Sequence, residues 1–147
     1  MTAGVHRGPG LGAAVAAAAG AVPVAWLLAR FGHGMPTSNP LRDLPLLALL
    51  AVAEEVVFRG GLQSWLATKP VMARRRLGVS TANAVTSVVF SAAHLGSHAP
   101  LQALGVFPVS LLLGASLERS GRLWVPAALH VWFNLALYGA SWAQRSL

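Results

Sequence analysis

The sequence predicts an all-α fold: a polytopic transmembrane helix bundle with about five spans. Three observations predict it. Charged residues are 10% of the 147 and apolar residues 55%, where soluble domains average about 25% charged; the mean hydropathy is +0.60. The apolar residues gather in five runs of about 17–23 residues, each near the roughly 20 that a helix needs to cross about 30 Å of hydrocarbon. The formal charge is +7, and its cations sit mainly in short segments between the runs, the pattern of a membrane protein and not of a nucleic-acid footprint. This balance excludes a disordered chain and leaves too few polar residues to coat a soluble domain. Without cysteine, disulfides, thiolate metal sites and Cys nucleophiles are excluded. Only helices and closed barrels satisfy the backbone in lipid. The runs lack the alternation of barrel strands, so they read as helices. They form a single integral membrane domain over residues 1–147, with no internal repeat.

Each run supports the assignment in its own way. The first, Leu11–Ala29, is uncharged, rich in Ala and Gly, and carries Pro23. His6 and Arg7 before it also suit a signal peptide, but it is long for one and Arg30 closes it like a stop. The second, Leu44–Leu66, contains Glu54, Glu55 and Arg59, followed at once by Gly60-Gly61, which should loosen the helix. The third, Val79–Leu95, holds Asn83 and His94; the fourth is Pro100–Leu117. These two are the shortest and share little loop, so a pair of half-buried helices is their alternative. The fifth, Leu123–Trp142, carries Pro126, His130 and Asn134. Trp65, Trp124, Trp132 and Trp142 read as interface anchors or lipid-facing residues. With a cytoplasmic N-terminus, Arg7, Lys69, Arg74, Arg75, Arg76, Arg119 and Arg122 fall inside, and Arg30, Arg42 and Arg145 outside. The positive-inside rule favours that orientation.

The second run carries the chemistry. A charge at mid-helix costs about 2.5–3.5 kcal/mol on insertion scales, whereas a Leu, Ile, Val or Phe returns only about 0.3–0.6 kcal/mol. Glu55 and Arg59 lie at i, i+4 in the favourable order and can pair. Glu54 is rotated about 100° from Glu55 and could face a cavity. An ion pair that merely fixes helix packing would account for Glu55 and Arg59 but poorly for Glu54. Phe90 and His94 share a face of the third helix; His130 and Asn134 share a face of the fifth. Alone, each His reads as a hydrogen-bonded interior histidine and Asn134 as helix–helix glue. His6, His33 and His98 receive no role. Together, a carboxylate, a second carboxylate beside Arg, two His and an Asn on three apolar helices make an acid–base hydrolytic set that needs no serine. A carboxylate in low dielectric is a base near neutral pH, and His and Asn can donate to a developing oxyanion.

Glu54-Glu55-Val-Val-Phe58-Arg59, Phe90-Ser-Ala-Ala-His94 and His130-Val-Trp-Phe-Asn134 match, in order, the EExxxR, FxxxH and HxxxN motifs of the CPBP family. That family contains type II CAAX prenyl endopeptidases and bacteriocin-processing and immunity proteins. The resemblance covers residues 45–138. It implies a glutamate-type intramembrane endopeptidase in which Glu54 and His94 activate water, Glu55 and Arg59 support the site, and His130 and Asn134 stabilise the oxyanion. It implies no metal and no cofactor. The substrate is a membrane-associated protein or peptide, cut near its C-terminus or membrane anchor; the lipid bilayer is the other partner, and nucleic acid is not one. Many family members have six to eight spans, and the short chain also resembles the myxosortase-like proteases.

Rival readings remain at this level. A zinc-dependent membrane protease could use two His and two Glu, but the HExxH helix motif is absent. A serine protease would need Ser97 beside His98, or Ser116, in an arrangement the spacing does not supply. An aspartyl site fails because Asp43 is the only Asp. A non-catalytic immunity or scaffold protein could retain the motifs. A transporter lacks its paired broken helices. Depth is a further constraint: at about 1.5 Å per residue, Glu54 falls near the midplane, His94 outward of it and His130 inward. A common site then needs tilt, a helix break at Gly60-Gly61, or shifted spans.

Overall fold

A computed structural model describes residues 40–76, 78–96 and 100–145, together with residues 19, 20 and 22. The expected first span lies almost wholly outside the described residues, as do His6, His33, Ser97 and His98. The helical character of the remaining runs holds. Residues 40–67 form a continuous rod: α1 (Pro40–Glu55), a π-helical stretch (Val56–Gln63) and α2 (Ser64–Ala67). A small hairpin of β1 (Arg75–Arg76) and β2 (Val79–Ser80) follows, then α3 (Thr81–His94), α4 (Pro100–Ser120) and α5 (Trp124–Arg145).

Local chemistry sets the boundaries. Gly60-Gly61 does not break the rod. The helix widens there into i→i+5 hydrogen bonding, and Ser64 reinforces it by donating both its backbone N–H and its hydroxyl to the carbonyl of Arg59, the latter at 2.7 Å. Such π segments recur at functional sites. Antiparallel pairing of Arg75 with Ser80 and Arg76 with Val79 is turned by Gly78 at φ 82°, a left-handed conformation that favours glycine. Ser80 caps α3 by accepting from the Asn83 N–H at 3.0 Å. α4 stops at Gly121, φ 64°, whose N–H bonds the Leu117 carbonyl at 2.7 Å.

The described chain forms two compact units. One is Glu54–Pro126; the other consists of the α1 residues before Glu54 and the α5 residues after Pro126. Within the first unit, hydrogen bonds give the helix directions. Ser91 on α3 donates to the Ala103 carbonyl on α4, and the Asn83 amide donates to Leu111. Numbers rise on one helix as they fall on the other, so α3 and α4 are antiparallel. Arg59 bonds Ser110 and Gln63 bonds Gly114; numbers rise together, so the rod and α4 run the same way. The rod and α3 are therefore antiparallel.

Polarity in this unit is inverted relative to a soluble domain. Glu55, Arg59, Gln63, Asn83, Thr86, Ser87 and Ser110 are wholly or almost wholly buried, while Val57, Val88, Leu101 and Leu104 are 57–68% exposed. Apolar outside and polar inside suits a hydrocarbon solvent. Among the described residues one helix, α4, is both long and apolar enough to cross a membrane; its 21 residues reach roughly 31 Å. The expected five spans are thus not confirmed among the described residues. α3 has 14 residues, roughly 21 Å. The rod carries Glu54, Glu55 and Arg59 and changes helix type midway. α5 has 22 residues but interrupts its apolar run with His130, Asn134, Ser141 and Gln144.

Candidate active site

The expected pair forms. Arg59 Nε lies 3.3 Å from Glu55 Oε2, and both side chains are fully buried. The far end of the guanidinium reaches α4, where Nη2 donates to the Ser110 hydroxyl at 2.9 Å and the Ser110 carbonyl at 3.1 Å. Its carbon sits 4.8 Å from the centre of the Phe90 ring, a cation–π contact across to α3. Phe90 also meets Phe58 edge-on, with centroids 4.8 Å apart, and lies against the His94 imidazole at 4.6 Å with the rings tilted by 42°. The Phe of the second motif is thus a spacer: one face positions the cation and the ring carries the imidazole.

His94 is held by its own helix. Its Nδ1 is 2.8 Å from the Phe90 carbonyl. A carbonyl only accepts, so Nδ1 carries the proton, and in the neutral ring Nε2 is the basic nitrogen. The imidazole is half-buried, as is Glu54. The Phe58–Phe90 contact sets the register of two antiparallel helices. Four residues back along the rod is Glu54, and four residues on along α3 is His94. Equal steps on antiparallel helices bring these two residues to about the same level, which removes the depth mismatch between the first and second motifs.

His130 and Asn134 belong to the second unit. They lie four residues apart on α5, His130 buried and Asn134 half-buried. Within the first unit the grouping is Glu55, Arg59, Phe58, Phe90 and His94, with Glu54 next to it on the rod.

Several residues outside the motifs complete this interior. Gln63, four residues past Arg59, donates to the Gly114 carbonyl and to Glu118 Oε1, each at 3.2 Å. Glu118 Oε1 also accepts from the Ser80 hydroxyl, and Oε2 lies 3.2 Å from Arg75. Asn83 donates to the Leu111 carbonyl at 3.0 Å and accepts from Ser87 at 3.2 Å. Gly114 makes this approach possible: a Cβ there would fall on the Asn83 carboxamide and lie 2.8 Å from Gln63 Oε1. A signal for these residues existed. Glu55, Arg59 and Gln63 repeat every four residues along the rod, and Ser110, Gly114 and Glu118 do so along α4, a small-or-polar stripe of the kind that packs helices in membranes.

A helical unit with an apolar exterior and a buried interior of Glu55, Arg59, Gln63 and Asn83 has the polarity of a membrane-embedded helical protein. Residues 36–136 match the family model of the Rce1-like type II CAAX prenyl endopeptidases. The match covers more than half of the chain, and the chain belongs to that family. The family is one of membrane proteins and implies a protease, a hydrolase of peptide bonds. Comparison with curated proteins and with solved structures finds no match.

Proposed function

We propose that this protein is a metal-independent, glutamate-type intramembrane endopeptidase of the cell membrane that cuts a membrane-associated protein or peptide near its anchor. The observation that carries this reading is the register of the first two motifs. It brings Glu54 and His94 level on neighbouring helices, beside a Glu55–Arg59 pair locked by Phe90 and Ser110.

In this mechanism Glu54, as carboxylate, takes a proton from a water while His94 Nε2 accepts the other hydrogen bond and orients it. The water oxygen attacks the scissile carbonyl carbon, and the C=O electron pair moves onto oxygen. The His130 imidazole and Asn134 amide donate to that oxyanion. Collapse of the tetrahedral adduct breaks the C–N bond, and the proton held by Glu54 passes to the leaving amine. Glu55 and Arg59 touch no reacting atom. They hold the rod in register with α3 and α4 and keep the local field fixed.

Comparing membrane proteomes from cells with the wild-type protein and with Glu54→Gln tests this. Peptides with new C-termini near a membrane anchor should appear only with wild type. Equal cleavage by a stably inserted Glu54→Gln protein would sink the assignment; no such peptides from either protein would leave an immunity or scaffold role. Activity abolished by a chelator and restored by zinc would overturn the metal-independent mechanism.

A further inference from the structure

The three helices of the first unit end on a cationic rim. After Glu55 the sequence has a single acidic residue, Glu118. Lys69, Arg74, Arg75, Arg76, Arg119 and Arg122 are all exposed. They belong to one end. Lys69 follows the rod, Arg74–Arg76 enter the hairpin, and Arg119 and Arg122 close α4. The Arg75–Glu118 ion pair and the Ser80–Glu118 hydrogen bond tie the hairpin to the last turn of α4. The one acid is thereby engaged with Arg75, which leaves the other five cations in excess at this end.

Aromatic and aliphatic side chains are interleaved with these charges. Trp65 is 59% exposed on the last turn of the rod, Trp124 64% at the start of α5, and Val71 60% in the loop between rod and hairpin. Lys69 Nζ lies 5.3 Å above the Trp65 ring. Indole beside ammonium at a helix end suits the headgroup layer, where the ring meets acyl carbons and the cation meets phosphate.

We propose that this rim is a binding surface for the phosphodiester headgroups of anionic phospholipids. Lys69, Arg74, Arg76, Arg119 and Arg122 supply the charge, and Trp65 and Trp124 set the depth. A nucleic acid or free phosphate would satisfy the cations but leave Trp65, Val71 and Trp124 in water. A bilayer interface satisfies both sets at once. The inference rests on the membrane location in the proposed function and not on its catalysis. It places this end of the unit on a leaflet rich in acidic lipid.

The test uses the full-length protein in nanodiscs of phosphatidylcholine mixed with phosphatidylglycerol, with co-purifying lipid quantified by mass spectrometry. Phosphatidylglycerol should be enriched over phosphatidylcholine around wild type. The enrichment should fall about tenfold or more in the protein with Lys69, Arg74, Arg76, Arg119 and Arg122 all changed to Gln, and should weaken with added salt. A milder variant, Lys69→Glu with Arg76→Glu, should lose enrichment in the same direction. Equal retention of the two lipids, enrichment unchanged in both variants, or displacement by inorganic phosphate at matched concentration would overturn the proposal. A carbonate wash of membranes separates the two readings. Protein that stays in the pellet without lipid preference refutes the rim alone; protein that washes out refutes the membrane location and the rim with it.

Discussion

Two polar regions lie a turn or two apart inside the first unit, and they are built differently. Around Arg59 the chain buries a full charge pair and secures it with one hydroxyl, one carbonyl and an aromatic face, leaving Arg59 Nη1 without a hydrogen-bond partner. Around Glu118 one carboxylate collects Gln63 from the rod, Ser80 from the cap of α3 and Arg75 from the hairpin, ending at the surface. The second arrangement is a latch joining the rod, the hairpin and α4. The first is expensive by any stability argument, because a buried pair often stabilises no more than apolar residues of equal volume. A fold seeking only stability would keep the latch and drop the charges. The proposed catalytic role of the region would account for the charges being kept beside the latch.

The contrast can be broken from its deep end first. Glu55→Gln leaves the Arg59 cation buried beside a neutral amide, and about 3–5 kcal/mol of stability should be lost, read by thermal unfolding in detergent. A Glu55→Gln protein unfolding at the wild-type temperature would show that Arg59 does not depend on its buried partner. Gly114→Ala comes next. Its methyl would collide with the Asn83 carboxamide, and overpacking of this kind costs about 1–3 kcal/mol. Gly61→Ala is the matched control: its Cβ would find nothing closer than 3.8 Å, so the same assay should show no loss.

The latch should give smaller effects. Ser80→Ala removes the α3 cap and a donor to Glu118, and a loss of about 1 kcal/mol is expected. Hydrogen exchange should localise it to the first turn of α3. Arg75→Gln breaks an ion pair whose Arg side chain is half exposed. It should change stability by no more than about 1 kcal/mol, less in high salt. An Arg75→Gln effect as large as that of Glu55→Gln would erase the distinction between the two regions.

Legibility followed the same division. Glu54, Glu55 and Arg59 stand out in the sequence because charges in an apolar run are costly and four-residue spacing shows which of them can pair. The helical character of the rod, α3, α4 and α5 is readable from their long, mainly apolar runs. The sequence by itself does not single out Gln63, Ser110, Gly114, Asn83 and Glu118 as parts of the interior. Ser, Gly and Asn in an apolar helix are common, and what gives these meaning is a partner 51 residues away in the pairs Arg59–Ser110 and Gln63–Gly114. The π-helical stretch was also out of reach. Gly60-Gly61 signals a weak point, but whether a weak point breaks or widens depends on what packs against it. Here the Leu123 side chain comes within 3.2 Å of where a Gly60 Cβ would stand, and Ser64 bonds back to Arg59.

Sequence alone determined the helical class, the apolar exterior, the Glu55–Arg59 pair and the three motifs that carry the family. Each of these is written in local spacing or composition, which the chain possesses before it folds. Only the tertiary structure decided the register, because register is a property of two helices and their contacts. The Phe58–Phe90 ring contact brings Glu54 level with His94. The approach of α4 at Gly114 gives Gln63 and Asn83 their partners, and the Glu118 latch binds the hairpin to the helices it closes.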